Sequence, residues 1–583
     1  MNVKRRAQLL FAAACLALLQ GCADNRARAE RAEFRRLAAE AVRLYTVIHP
    51  LRASRLGIVE ADSLLFTFDA GEVGGAVGAL ERLDDRLSAL SAGGLSAREI
   101  DQARVMINWS RGERFAFERL AIHRTNPLLY AWIAEEALEE MPSRFEPVRP
   151  GEATAYRKRV LATADLFSNG ALVLRNPAEA SARLAAARLD GLAGRLDGIA
   201  RLAEGRYGVS FDAEFSIARA AIGDFREFIS LAILDGTRGS LILGFENLSR
   251  IFLYEEILDI DPNALLAEAE RRIARLAADR VATVRRMEFE KSGARSGLAA
   301  IAGARTSEAA KTPLPRASAP AAAETPGELA ARCIDTLWTA NARASVFGAP
   351  RGAKPGLRFP ADTRFAGDPT KNPHLSIPLL PAPAVAARVA PFTAPSCRPL
   401  VLVSGDAARV EVAALRYALL AASPRLLDAD RLVCEAADTV AAVFASETWR
   451  EGMRHLALID AADELRNNDP ELYLRLLDDW SLRLARTVIV LRIHAGTLTG
   501  ENAARYVAET ALIERKEAER EALEASLSPS AAWSGISLLL VERMLDRMTE
   551  PGAAGNPRQE TRALLGRSPG LPLSIIDQRL KRN

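Results

Sequence analysis

The stretch DPNALLAEAERRIARLAADRVATV, residues 261–284, decides the fold class. Asp261 followed by Pro262 reads as an N-cap and a proline at the first helical position, where a missing N–H is tolerated. From there Leu265, Leu266, Ala269, Ile273, Leu276, Ala277 and Val284 recur at helical spacing and predict a long amphipathic helix. The same Asp259, Asp261 and Asn263 superficially resemble a calcium loop, but Ala264 stands where its sharp turn requires glycine.

The same period runs outward in both directions. Phe34, Leu37, Ala38, Ala41, Val42 and Tyr45 share one face of a helix that stops at Pro50. Ser96 and Glu99 form a capping box opening a helix through Trp109 and Phe117. Residues 291–324, rich in Ala, Pro, Ser and Gly, read as a linker. Thr325-Pro326-Gly327-Glu328 then caps a helix through Trp338. Residues 349–405 are Pro-rich, with two apolar runs, Leu375–Leu380 and Leu400–Val403, that fit a small sheet or hairpin. Helical pattern returns from about Ala407 to Arg547, and the Pro/Gly-rich tail beyond Pro551 is expected to be partly mobile. The expectation is a mainly α, multi-helix fold with a small irregular or β insertion before the C-terminal helices. Its regions are a leader (1–21), an N-terminal helical region (22–290), the linker (291–324), a C-terminal helical region (325–550) and a tail (551–583).

Composition narrows the function. The 583 residues are 49% hydrophobic and 26% charged, the values of a globular protein, and include five His. Three of the 77 basic residues, Lys4, Arg5 and Arg6, lie in the leader, leaving 74 against 74 acidic ones. A neutral body argues against nucleic-acid binding, which needs a basic surface to displace counterions. Few His means few general bases or metal ligands. No cofactor is expected.

The first 22 residues have the parts of a secretory signal: a basic start, an apolar run from Leu9 to Leu19 and a small-residue boundary. The run is shorter than the ~20 residues a membrane-spanning helix needs. Leu19-Gln20-Gly21-Cys22 looks like a bacterial lipobox, with Cys22 lipidated as the mature N-terminus. More than one acyl chain there would anchor the body durably to the cell envelope, facing the periplasm. Ala23 after Cys22 favours the outer membrane, and Asp24 weakens that preference. Cys333, Cys397 and Cys434 allow at most one disulfide and lack C-x-x-C spacing.

Two motifs fail on their chemistry. Gly566-Arg567-Ser568-Pro569-Gly570 has nucleophile-elbow spacing, but Pro569 has no N–H to offer an oxyanion. Gly71, Gly74, Gly75 and Gly78 lack phosphate-loop spacing.

An ordered set of weaker motifs remains. Asn126-Pro127-Leu128-Leu129-Tyr130, Gly244-Phe245-Glu246 with Tyr254-Glu255-Glu256-Ile257-Leu258, Glu451-Gly452-Met453, Arg486 with His494, and Pro529 to Gly535 with Trp533 stand in sequence. Together they resemble a large, mostly uncharacterised bacterial family of helical, metallopeptidase-like proteins, catalogued as a domain of unknown function and including many lipoproteins. The resemblance covers roughly residues 30–550. It implies a metallopeptidase-like scaffold and a site built on an H-E-x-x-P-G-H signature, with the E-G-W glutamate completing it.

In this chain that signature is degenerate. The matching stretch places Arg416 and Ala422 at the two histidine positions and Tyr417 at the base position, and Val490 replaces an Asp that would hydrogen-bond a metal ligand. Glu451 and His494 alone survive, and a guanidinium at a ligand position repels a dication. The resemblance therefore implies the fold while arguing against the reaction. The expectation is a pseudoenzyme with no catalytic residue, in which Glu451 pairs with Arg416, while Glu447 and His455 are helix-surface partners. It would bind a peptide-like ligand or an envelope protein. The alternative is a working zinc hydrolase with a rearranged site, because Glu447, Glu451 and His455 share a helical face that His494 would complete. A further alternative is a purely structural lipoprotein. His49 and His123, at predicted helix ends, read as structural, and His374 gives no clue.

Overall fold

A computed structural model describes residues 3–144, 147–234, 236–237, 239–292, 356–358, 387–389, 400–403, 439–549 and 556–580. The fold is mainly α, and its contacts divide the chain into two units: Met1–Ser240 with Ala437–Phe444, and Leu241–Ala436 with Ala445–Asn583. The first boundary falls near residue 240, within the region expected to be one N-terminal helical stretch.

The first unit contains α1 (Val3–Ile48), α2 (Pro50–Arg55), α3 (Ala70–Ser88), α4 (Ala97–Arg114), α5 (Ile122–Thr125), α6 (Pro127–Glu139), α7 (Glu152–Val173), α8 (Glu179–Tyr207) and α9 (Asp212–Leu234). The α1 stripe buries Phe34, Leu37, Ala38 and Ala41 against Leu83 and Leu87 of α3 and Ala103 and Met106 of α4. Each large side chain so buried contributes about 2 kcal/mol. The capping box closes as expected, with Glu99 N donating to Ser96 Oγ at 3.3 Å and Ser96 N donating to Glu99 Oε2 at 2.7 Å. Past Arg114 the helix widens into a π turn, Phe115–Arg119. His49 pairs with Glu113 at 2.6 Å, and buried His123 packs beside Phe68 and Phe117. Short helix α12 (Thr439–Val443) joins this unit, with Val440 packed on the α1 stripe.

The second unit contains α10 (Phe245–Glu256), α11 (Pro262–Ser292), α13 (Glu447–Asn468), α14 (Pro470–His494), α15 (Gly500–Ala511), α16 (Arg515–Leu527), α17 (Trp533–Met548), α18 (Pro557–Arg567) and α19 (Leu573–Leu580). Helix α11 is the long helix expected from residue 261, with Asn263 N donating to Asp261 Oδ1 at 3.0 Å. Strands β1 (Gly356–Arg358), β2 (Ala387–Val389) and β3 (Leu400–Val403) form a small sheet in the order β1-β3-β2. Gly356 pairs with Leu400 in parallel, and Val389 with Val401 in antiparallel register. The Leu400–Val403 run is thus a strand, whereas Leu375–Leu380 and the Thr325 helix lie outside the described residues.

The tail corrects one expectation. Residues 557–580 form two packed helices, with Leu565, Leu573, Ile575 and Ile576 buried. Proline supplies the first turn at Pro557 and glycine the left-handed bend at Gly570 (φ 74°), so Pro/Gly content marked helix boundaries there. Ser568 ends α18 as a buried C-cap.

Candidate functional site

The site expected from sequence centres on α13, whose start is fixed by three independent contacts. Ser446 Oγ accepts from Trp449 N at 3.0 Å, as an N-cap should. Glu256, delivered from the end of α10, accepts from Glu447 N (2.8 Å), Thr448 N (3.2 Å), Ser446 Oγ (2.5 Å) and Thr448 Oγ1 (2.6 Å). A carboxylate at a helix N-terminus satisfies orphan N–H groups and complements the dipole. Burial nevertheless pushes the Glu256 carboxyl up to about 7, the hydrogen bonds pulling the other way. Next to it Ile257 takes a left-handed φ of 51°, a strained conformation for a β-branched residue that turns the chain out of α10. Trp449, fully buried, donates its indole N–H to Leu565 O at 3.1 Å and sets the rotation of α13.

That rotation turns Glu451 and His455 inward. Glu451 Oε2 accepts from Ser534 Oγ at 2.8 Å and from Arg483 Nη1 at 3.3 Å, while Oε1 pairs with Arg454. Arg483, on α14, holds Asp479 through both Nε (2.6 Å) and Nη2 (2.9 Å) and also donates to Ser534 Oγ. His455 Nε2 lies 2.8 Å from Ser534 O and 3.9 Å from Glu451 Oε2. A carbonyl only accepts, so Nε2 of His455 carries a proton in this contact. Two carboxylates and two guanidinium groups make the cluster electrically neutral. Gly535 brings α17 onto α14: a Cβ there would sit 2.3 Å from Thr487 Oγ1 and 2.5 Å from Arg483 O.

The four residues of the alternative metal set do not converge. Glu447 sits at the first turn, 3.6 Å from Arg450 Nη1. His494 ends α14, eleven residues beyond Arg483, about 16 Å along the axis. Its ring is enclosed, and burial lowers its pKa to about 4 against weaker attraction to the Ala525 and Leu241 carbonyls. Among the described residues no group of three His, Cys, Asp or Glu is arranged to hold a metal ion. A Glu451 already neutralised by two guanidinium groups, beside a proton-bearing imidazole nitrogen, does not fit as a zinc ligand set. His455 also corrects an expectation, being fully buried instead of on the helix surface. Arg416, Tyr417 and Ala422 lie outside the described residues, and so does the expected Arg416–Glu451 pair.

Sequence reasoning missed Arg454, Arg483, Asp479 and Ser534. A signal was present, since Arg454 follows Glu451 at i+3 and Arg483 follows Asp479 at i+4, the spacings of helical ion pairs. The other motif residues have local structural work. Asn126 caps α6 by accepting from Leu128 N (3.2 Å), Arg486 clamps Glu521 of α16, and Trp533 donates to Glu255 Oε2 at 3.1 Å.

No family model matches the chain, and no curated protein does. Solved structures do match its fold. A chain from Shewanella oneidensis, described as a lipoprotein of unknown function, gives a TM-score of 0.66 at 13% identity, covering 94% of this chain and 99% of that one. A chain from Colwellia psychrerythraea, also described as a lipoprotein, gives 0.64 at 12% identity over 94% and 99%. At such identities the likeness is one of fold.

Proposed function

We infer that the protein is anchored through lipid on Cys22 to the bacterial envelope, faces the periplasm, and binds or scaffolds without catalysing hydrolysis. In this reading its scaffold is metallopeptidase-like and its metal site has been lost. One observation carries it: Glu451, the surviving acidic position of the resembled site, is charge-compensated by Arg454 and Arg483 and bonded to Ser534. A carboxylate so engaged has exchanged a dication for protein cations. Arg416 and Ala422 at the histidine positions support the same conclusion. The lipobox at Cys22 and the lipoprotein descriptions of the matching folds support the anchor. The ligand class in keeping with the scaffold is peptide-like, or a segment of an envelope protein. Labelling growing cells with a fatty acid should mark the chain, and Cys22→Ala should abolish the mark. Zinc titration of the purified chain should give no saturable site that depends on Glu451. Labelling that survives Cys22→Ala, or a Glu451-dependent zinc site, would overturn the corresponding half.

A further inference from the structure

Helix α1 has two unlike faces. Phe34, Leu37, Ala41 and Tyr45 are buried, whereas Arg28, Arg35, Arg36 and Arg43 are exposed, with exposed Ala29, Ala32 and Ala39 between them. At 3.6 residues per turn the four arginines fall within about 100° of one another, opposite the buried stripe. The carboxylates of residues 25–48 are drawn aside. Glu30 pairs with Arg26 at 3.3 Å, and Glu33 and Glu40 both bind Arg86 of α3, at 3.0 and 2.9 Å. Glu33 also holds Arg36 at 2.7 Å, but Arg28, Arg35 and Arg43 have no ion-pair partner among the described residues. An ordinary solvated face interleaves both signs; here Arg28, Arg35 and Arg43 stand unpaired along about 22 Å of one face, Arg36 being held by Glu33 and the Glu99 carboxylate of α4 feeling the charge of Arg35 without an ion pair.

We propose that this arginine stripe lies along an anionic phospholipid surface and holds α1 flat against the membrane. The inference rests on the Cys22 anchor of the proposed function, which places Arg28 only about 9 Å along the helix from the acyl chains. Upright, the helix would carry Arg43 well beyond the ~8 Å over which charge is felt at physiological salt; lying flat, it brings every guanidinium within reach of phosphates. Guanidinium groups match phosphate oxygens bidentately, and small alanines between them let the headgroups approach. Each basic residue at such a surface strengthens the contact about fivefold, so three uncompensated ones give about a hundredfold preference for anionic lipid.

The test reconstitutes the full-length chain in phosphatidylcholine vesicles and in vesicles containing phosphatidylglycerol. Each set carries its own lipid bearing a photoactivatable headgroup, and crosslinks are mapped by mass spectrometry. Crosslinks to residues 25–47 should be at least about tenfold more abundant with phosphatidylglycerol and should fall at high salt. They should drop to the phosphatidylcholine level in the triple variant R28Q/R35Q/R43Q, while circular dichroism stays unchanged. Equal crosslinking with both lipids, or none, overturns the proposal even if the chain is acylated. A salt-sensitive phosphatidylglycerol signal on a chain without acyl groups would leave the stripe standing and overturn the anchor.

Discussion

Replacing Glu451 with alanine separates a compensated carboxylate from a vacated metal ligand. Glu451 and Arg483 are both buried, and removing one partner of a buried ion pair costs about 3–5 kcal/mol. Here Arg483 keeps its two-point contact with Asp479, and Arg454 is partly exposed and regains water. The loss is therefore smaller, about 2 kcal/mol, including the unmet Ser534 hydroxyl. That corresponds to roughly thirtyfold more frequent local opening. Amide hydrogen exchange of α13, measured in the full chain where exchange follows the opening equilibrium, should accelerate by about that factor over residues 449–456. Glu451→Gln, which keeps an acceptor for Ser534, should fall between wild type and alanine. A carboxylate awaiting a cation would behave oppositely, since its removal relieves uncompensated charge. Unchanged or slower exchange in Glu451→Ala would refute the reasoning.

Three further outcomes follow from the same geometry. Gly535→Ala should cost about 2 kcal/mol and lower Tm clearly, because the new methyl meets the Arg483 backbone; Gly452→Ala meets side-chain ends alone, Leu573 (2.7 Å) and Val541 (3.2 Å), and should cost less. The Glu256 carboxyl is raised from 4.5 to about 7, so the folded state binds its proton more tightly. Its contribution is full below 4.5 and is lost as pH rises through 7, so urea midpoints should fall between pH 5 and 8 more steeply in wild type than in Glu256→Gln; equal slopes would count against it. His494 is depressed to about 4, so the neutral form is favoured and stability is lost as pH falls below the ordinary 6.5. In a histidine NMR titration its ring should remain neutral at pH 5, and protonation near 6.5 would contradict its enclosure.

Helices were legible because their signals are local. Ser96 with Glu99 and Asp261 with Pro262 each mark a start within four residues, and the structure places a helix at each; Asn126-Pro127, read in the sequence only as part of a family motif, is a third such start. The Leu400–Val403 strand was readable from its apolar run between proline-rich flanks. The tail was misread because proline and glycine serve as readily at the ends of packed helices as in loops. For the candidate site, periodicity correctly put Glu451 and His455 on one face of α13, but it carries no information about what that face meets. Ser534 arrives 83 residues later at the start of another helix, and nothing local announces it. His494 could have been separated from the cluster by length alone, since α14 runs unbroken from Pro470.

The claim that the scaffold has exchanged its metal for arginine is tested most directly by elemental analysis of the chain purified from its own membranes without chelators. The account predicts zinc well below one atom per chain, unchanged in Glu451→Ala. One zinc per chain, lost on Glu451→Ala, would contradict it.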